Sequence, residues 1–436
     1  MQVSAGLASR GGGKADRTAP NLGCARWMQR WLVGCCSAAA AAALVLAWRR
    51  RTAALRRLLR VPYDEFSMFQ ENAQEHGIPY EQPPKVCRKA VALPDNRKIS
   101  ALVWGAAAPQ IVLLHGGAQN AHTWDTVALA LGLPLVAIDL PGHGHSDDAA
   151  AAMADPVSAA ADVAHAIDAL APSAAIVVGM SFGGLTAIVL SQQRPDLVRR
   201  LVLVDVTPGV TRAKAAHIFD FIKGPASFDS MDAMLARTVR YNPTRSQASL
   251  RRGLLHNARQ REDGSWVWRH ARSCAFDEAE EPAAVSRKLS PTTPPRSTTP
   301  RSSGVEEGAG GEEYDAMWEA VGALKAPCLL VRGMRSSSVV DDADEAELCA
   351  RLPTARVERL DAGHSVQGDA PVALAEAIAA FRVTPTCRPR EMHAAAAAAA
   401  GMTAAAAADA RAAHAHAVSS GHASPVEPAA GLRVSR

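Results

Sequence analysis

Short runs such as 111–114 (IVLL), 175–179 (AIVVG) and 201–205 (LVLVD) are apolar at almost every position, and they constrain the fold more than any other feature of the chain. A strand with one face in water alternates apolar and polar residues. A strand without that alternation is buried on both faces, the pattern of a parallel sheet covered on each side by helices. From about residue 86 to 381 such runs alternate with helical stretches, which predicts parallel strands joined by crossover helices. Eight strands are expected, at 87–93, 99–104, 110–114, 134–138, 174–179, 200–205, 327–332 and 356–360. The first two are more polar and are read as an antiparallel edge. The fold class is therefore α/β: an eight-stranded, mostly parallel sheet with helices on both faces.

One connection is far longer than the rest. About 120 residues separate Asp205 from Ala326, and a helical lid at about 210–320 is expected there, after the sixth strand. Within it, 287–312 is rich in Pro, Ser, Thr and Gly and reads as a disordered insert. The Ala-rich tail, 387–436, is read the same way, leaving a main domain at 61–386. The formal net charge of +4 is unevenly placed. Residues 1–60 hold eleven Lys/Arg against the single acid Asp16, a net +10, so the remaining chain sums to −6. A basic leader on an acidic body gives no face for nucleic acid. Residues 31–48 carry no charge and are followed by Arg49, Arg50 and Arg51. A bilayer needs roughly 20 apolar residues, so the segment reads as a membrane anchor, an organellar targeting element or an Ala-rich soluble helix. It starts too far from Met1 for a cleaved secretory signal. The eight cysteines include no CxxC pair and no zinc spacing, and they are read as free thiols.

The chemistry concentrates at Gly179-Met180-Ser181-Phe182-Gly183-Gly184, between an apolar run and the helical stretch LTAIVLSQQ. Gly-x-Ser-x-Gly in that setting is a nucleophile elbow. The turn is tight enough to strain the serine backbone, and its flanking glycines are needed because side chains would clash. The spacing does not fit the GxGxxG of a dinucleotide site. His143 and His145 in DLPGHGHS are close enough to suggest a metal pair. A glycine in a turn separates them and no carboxylate cluster accompanies them, so no metal is expected.

These segments, together with LLHGGAQNAHTW, LVLVDVTPG, GSWVWRH, LLVRGM and AGHSVQGD, resemble α/β-hydrolase-fold proteins of the group containing esterases, lactonases and C–C bond hydrolases. The likeness runs from about Tyr63 to Phe381. It implies Ser181 as nucleophile and His364, just past the last strand, as its base. The backbone N–H groups of Gly117 and Phe182 are the implied oxyanion hole, with His115 holding that loop through its ring. The usual acid position, after the seventh strand, holds Ser336, Ser337 and Ser338. Asp205, ending the sixth strand, is the expected acid, with Asp341 as the alternative. Trp124, Met180, Trp266 and Trp268 are candidate pocket residues. A serine at the elbow departs from relatives that carry aspartate there, the epoxide hydrolases and haloalkane dehalogenases. The expected activity is cleavage of a carboxylic ester or related acyl bond of a small molecule, without a cofactor. C–C hydrolysis of diketone-type substrates, a slow-turnover small-molecule receptor and a non-catalytic membrane-tethered scaffold stay open as alternatives.

Overall fold

The computed structural model describes residues 44–48, 51, 60–148, 155–270 and 311–383. Among the described residues ten strands follow in chain order: β1 (Val86–Ala92), β2 (Lys98–Trp104), β3 (Ile111–Leu114), β4 (Leu135–Asp139), β5 (Ile176–Met180), β6 (Leu201–Val204), β7 (Ala258–Gln260), β8 (Trp266–Trp268), β9 (Cys328–Gly333) and β10 (Arg356–Leu360). Eight form one sheet in the order β1-β2-β4-β3-β5-β6-β9-β10, while β7 and β8 pair with each other as an antiparallel hairpin. β1 runs antiparallel to β2 and β2 to β4; every other pair in the large sheet is parallel. The eight expected strands are all present, displaced by at most a few residues at their ends.

The pattern of apolar runs explains the layering. All residues of β3, β4, β5, β6 and β9 are buried. Their alternate side chains feed two cores. On one face Val112, Leu114, Val177 and Leu203 pack with the helices Pro156–Leu170, Phe182–Gln193 and Asp342–Arg351. On the other face Ile111, Leu113, Val178 and Val204 meet the helices Phe69–Glu75, Asp125–Leu131 and Pro371–Val383. Fully burying one such Val, Leu or Ile stabilises the fold by about 1.5–3 kcal/mol, so a one-residue register slip, which moves every side chain to the opposite face, is strongly disfavoured.

The long connection after β6 folds into the helices Ala216–Ile222, Met231–Tyr241 and Gln247–Asn257 and then the β7–β8 hairpin. This inserted segment has a small core of its own, from Phe228, Met231, Met234, Leu254 and Trp266. The helix Gly311–Gly322 begins within the expected lid range and runs two residues past it, and Met317, Trp318, Ala320 and Val321 pack into the main core and not into that of the inserted segment. The hairpin is a further difference: Trp266 and Trp268 alternate as a strand does, inside a stretch read as helical. The expected disordered insert at 287–312, all but its last two residues, and the tail at 387–436 lie outside the described residues. Among the described residues no helix is long and apolar enough to cross a membrane. Of 31–48 only 44–48 are described, as a helical turn with Leu44 and Trp48 exposed.

Candidate active site

Strand order alone places a crevice. From β3 the chain moves outward to β4 and then returns to the other side of β3 for β5, so the loops leaving β3 and β5 diverge. Ligands of open α/β sheets bind at such a switch point, beyond the carboxyl ends of the strands. Here those ends carry the HGGA loop and Ser181.

Ser181 caps the helix Phe182–Gln193 with φ 51° and ψ −121°, a backbone that L-residues rarely adopt. Its N–H donates to the Val204 carbonyl at 3.3 Å, and its own carbonyl accepts from Gly184 at 2.8 Å and Leu185 at 3.0 Å. The turn is therefore fixed by the neighbouring strand and by the first turn of the helix. The flanking glycines leave no room for side chains. A Cβ on Gly179 would overlap the Gly183 carbonyl, and one on Gly183 would come within 2.5 Å of the carbonyl oxygens of Leu114 and His115. Ser181 stays partly exposed above the buried β5. It stands at the positive end of the helix dipole.

Asp205 has a definite partner. His364 Nδ1 stands 2.9 Å from Asp205 Oδ2, with the carboxylate fully buried. Asp205 holds φ 48°, a left-handed conformation that Asp tolerates better than most residues. Three more donors meet the same carboxylate: Gly333 N–H at 2.8 Å and Ser338 Oγ at 2.6 Å on Oδ1, and Val339 N–H at 3.1 Å on Oδ2. The loop after β9, the seventh strand of the large sheet, thus supplies hydrogen-bond donors where a carboxylate was sought. Asp341 is elsewhere. It caps the helix Asp342–Arg351 in a capping box with Asp344 and pairs with Lys214 at 2.9 Å. That pairing, with its hydrogen bonds, holds the Asp341 carboxyl below its usual range.

The loop 115–118 is held from several sides. His115 Nδ1 donates to the Gly116 carbonyl at 2.7 Å, and its Nε2 accepts from Leu140 N–H at 2.9 Å. His143 Nδ1 donates to the Pro141 carbonyl at 2.9 Å, and its Nε2 accepts from Ala118 N–H at 3.0 Å. Both rings are buried, and burial pushes both pKa values down, to about 3 for His115. Neutral, with both nitrogens used, they serve the loops. The N–H groups of Gly117 and Phe182 have no acceptor among the described residues.

The four candidate pocket residues fall in different places. Trp124 is fully buried in the core beneath the sheet, presenting no surface to a ligand. Met180 is buried in the same core, where its sulfur would meet any Cβ placed on Gly116. Trp266 belongs to the core of the inserted segment. Trp268 is only partly buried, stacked on His270 at 5.7 Å, and His270 lies 6.3 Å from His143.

A second buried polar cluster went unread in the sequence. His122 Nδ1 lies 2.9 Å from Asp125 Oδ2 and its Nε2 3.3 Å from Glu65 Oε2. The His256 ring stacks on His122 at 3.8 Å, nearly parallel at 10°, with Nδ1 2.9 Å from the Tyr63 hydroxyl. Burial alone would discharge His122, but the two carboxylates outweigh it and raise its pKa to about 9. Burial and the His122 charge hold His256 well below the ordinary value. Ligand atoms of His122, Asp125 and His256 all lie within 4.8 Å of one another. Yet an ion in the plane of one stacked ring would lie off the plane of the other, and the Arg88 guanidinium stands 3.2 Å from His122. With Tyr63 and Glu65 these residues form a charge network linking the segment before β1, the loop after β3 and the inserted segment. Its members are up to 193 residues apart in sequence, so no local spacing announces it.

Residues 111–377 match the model of the Alpha/beta hydrolase family. The chain is 40% identical over 325 residues to esterase Rv0045c of Mycobacterium tuberculosis, covering 72% of this chain and 94% of that protein. A solved structure of that esterase superposes with a TM-score of 0.60 at 39% identity, over 74% of this chain and all of the other. A shorter likeness, 33% over 172 residues, joins it to the sn-1-specific diacylglycerol lipase ABHD11 of Xenopus laevis, over 37% of this chain and 54% of that protein. The pimeloyl-[acyl-carrier protein] methyl ester esterase of Nitrosomonas europaea is 39% identical over 106 residues, 24% of this chain and 40% of that protein. An elbow at the switch point of this sheet and these relatives agree: the chain belongs to the alpha/beta hydrolase family and is a hydrolase resembling carboxylic ester hydrolases.

Proposed function

We propose that the chain cleaves a carboxylic ester of a small molecule through an acyl-enzyme on Ser181. The observation that carries the reading is the 2.9 Å contact between His364 Nδ1 and the buried Asp205 carboxylate. That contact fixes the tautomer in which Nε2 is free to take a proton. Ser181 Oγ attacks the ester carbonyl while His364 Nε2 takes its proton. The oxyanion that forms is received by the N–H groups of Gly117 and Phe182, donors worth roughly 3–4 kcal/mol each in such sites. His364 returns the proton to the departing alkoxide, the C–O bond breaks and the alcohol leaves. Water, deprotonated by His364, then attacks the acyl-enzyme and releases the acid and Ser181. Asp205 holds the ring in place and stabilises the imidazolium. By their names, the relatives above are an esterase, a lipase and a methyl ester esterase, which favours esters over C–C bonds.

The test is labelling with a fluorophosphonate and hydrolysis of p-nitrophenyl acetate. Ser181→Ala is expected to lose labelling altogether and Asp205→Asn to lose about 10⁴-fold in kcat with the fold intact, the loss a wrong tautomer causes. A well-folded wild type that neither labels nor hydrolyses the ester would sink the reading.

A further inference from the structure

The oxyanion loop is completed by a residue that reaches it from the inserted segment. Three successive peptide planes follow Gly116. The first is held through the Gly116 carbonyl, which accepts from His115 Nδ1 at 2.7 Å and from Gln119 N–H at 3.3 Å. Because C=O and N–H point oppositely across a planar trans peptide, gripping that oxygen aims the Gly117 N–H away from it. The second plane is held through Ala118 N–H on His143 Nε2 at 3.0 Å. The third is held through the Ala118 carbonyl, which accepts from Asn257 Nδ2 at 2.8 Å. Ala118 sits at φ 59°, a left-handed conformation unfavourable for alanine, so the loop keeps its shape only while its neighbours hold it. His115 and His143 are buried parts of the main body. Asn257 ends the helix Gln247–Asn257 of the inserted segment.

That helix end is itself fastened. Asn257 Oδ1 accepts from Asn120 Nδ2 at 2.8 Å, the same amide donates to the His256 carbonyl at 3.0 Å, and Asn257's own carbonyl accepts from Arg269 N–H at 2.8 Å. His256 is anchored separately by Tyr63 and by its stack on His122.

We propose that Asn257 is a positioning residue for the oxyanion hole, so that docking of the inserted segment and stabilisation of the oxyanion at Gly117 N–H are coupled. The proposal rests on the ester-hydrolase reading above. Asn257 touches no reacting atom. It acts through the Ala118 carbonyl, and its loss leaves the substrate pocket formed but lets the loop relax. The effect belongs to the transition state and not to ground-state binding.

Asn257→Asp keeps the shape and the acceptor for Asn120 but removes the donor to Ala118. Asn257→Ala removes the donor without adding a charge, and carries the test if the aspartate disturbs folding. Both are expected to lose about tenfold in kcat on p-nitrophenyl acetate with KM within twofold. They should also bind a trifluoromethyl ketone, whose adduct with Ser181 loads the oxyanion hole, about tenfold more weakly. Tyr63→Phe loosens the same helix end without touching Ala118, and should leave kcat and ketone affinity within twofold of wild type while lowering Tm. Asn257 variants with wild-type kcat and ketone affinity overturn the coupling, as does a Tyr63→Phe that loses as much as they do. Fluorophosphonate labelling of wild type separates the two failures. Labelled wild type with fully active Asn257 variants overturns the coupling alone, and folded wild type that does not label overturns the ester-hydrolase reading and the coupling with it.

Discussion

Ser338 shows how one side chain can stand in for a missing feature. Its hydroxyl donates to Asp205 Oδ1 at 2.6 Å, one of four donors around a carboxylate with no exposure at all. Burying a carboxyl group without hydrogen bonds is costly, and these donors hold it facing His364. Removing one leaves that oxygen short of a partner. Ser338→Ala is expected to cost about 1.5–3 kcal/mol of stability, the range for hydrogen bonds to charged groups, and to lower kcat several-fold as the carboxylate gains freedom to turn from the imidazole. Thermal melts and hydrolysis of p-nitrophenyl acetate check both; wild-type Tm together with wild-type kcat would show that Ser338 does not hold Asp205 in place.

Among the elements, the helix Asp342–Arg351 separates the two acids weighed from the sequence. Asp341 accepts from Asp344 N–H at 3.0 Å while Asp344 accepts from Asp341 N–H at 3.0 Å, two otherwise orphaned N–H groups satisfied at once. Asp341→Ala is expected to cost about 1 kcal/mol. In a domain of this size that is a drop of about 2–4 °C in Tm, with kcat unchanged; a large loss of kcat at constant Tm would return Asp341 to the catalytic role. The same comparison shows how legible the site was. The elbow is local: strand, Gly-x-Ser-x-Gly and helix lie within 20 residues, and so Ser181 and its strained turn are readable from the order of residue types. Asp205 was readable because an apolar strand ends in a carboxylate, which is otherwise costly to bury. The donors Gly333, Ser338 and Val339 were not, since only the pairing of β6 with β9 brings that loop to Asp205. Asn257 was hidden for the same reason, and the β7–β8 hairpin because each strand is three residues long, too short for alternation to outweigh the helical stretch before it.

For the molecule as a whole, buried histidines set how stability depends on pH. His115, His143 and His256 are buried with lowered pKa values, and burial is the leading cause for each. A group that the fold keeps neutral stabilises fully above its unfolded pKa of about 6.5, and that stabilisation is lost as pH falls. His115, held at about 3, loses about 1.4 kcal/mol by pH 5.5, and His143 and His256 add to the loss in the same direction. His122 runs the other way. Its pKa is raised to about 9 by Asp125 and Glu65 against the opposing effect of burial, so its contribution is complete below pH 6.5 and is lost as pH rises through 9. Stability is therefore expected to peak near pH 7 and to fall on both sides, with Tm lower by several degrees at pH 5.5. His256→Gln tests the assignment, because it removes one of the three neutral rings while a glutamine can still meet the Tyr63 hydroxyl. Thermal melts across pH 5.5–9 should show its acid limb shallower than wild type's and its alkaline limb, which belongs to His122, retained. An acid limb as steep as wild type's would mean that His256 is not held neutral by burial beside the charged His122, and the charge network would have to be drawn without it.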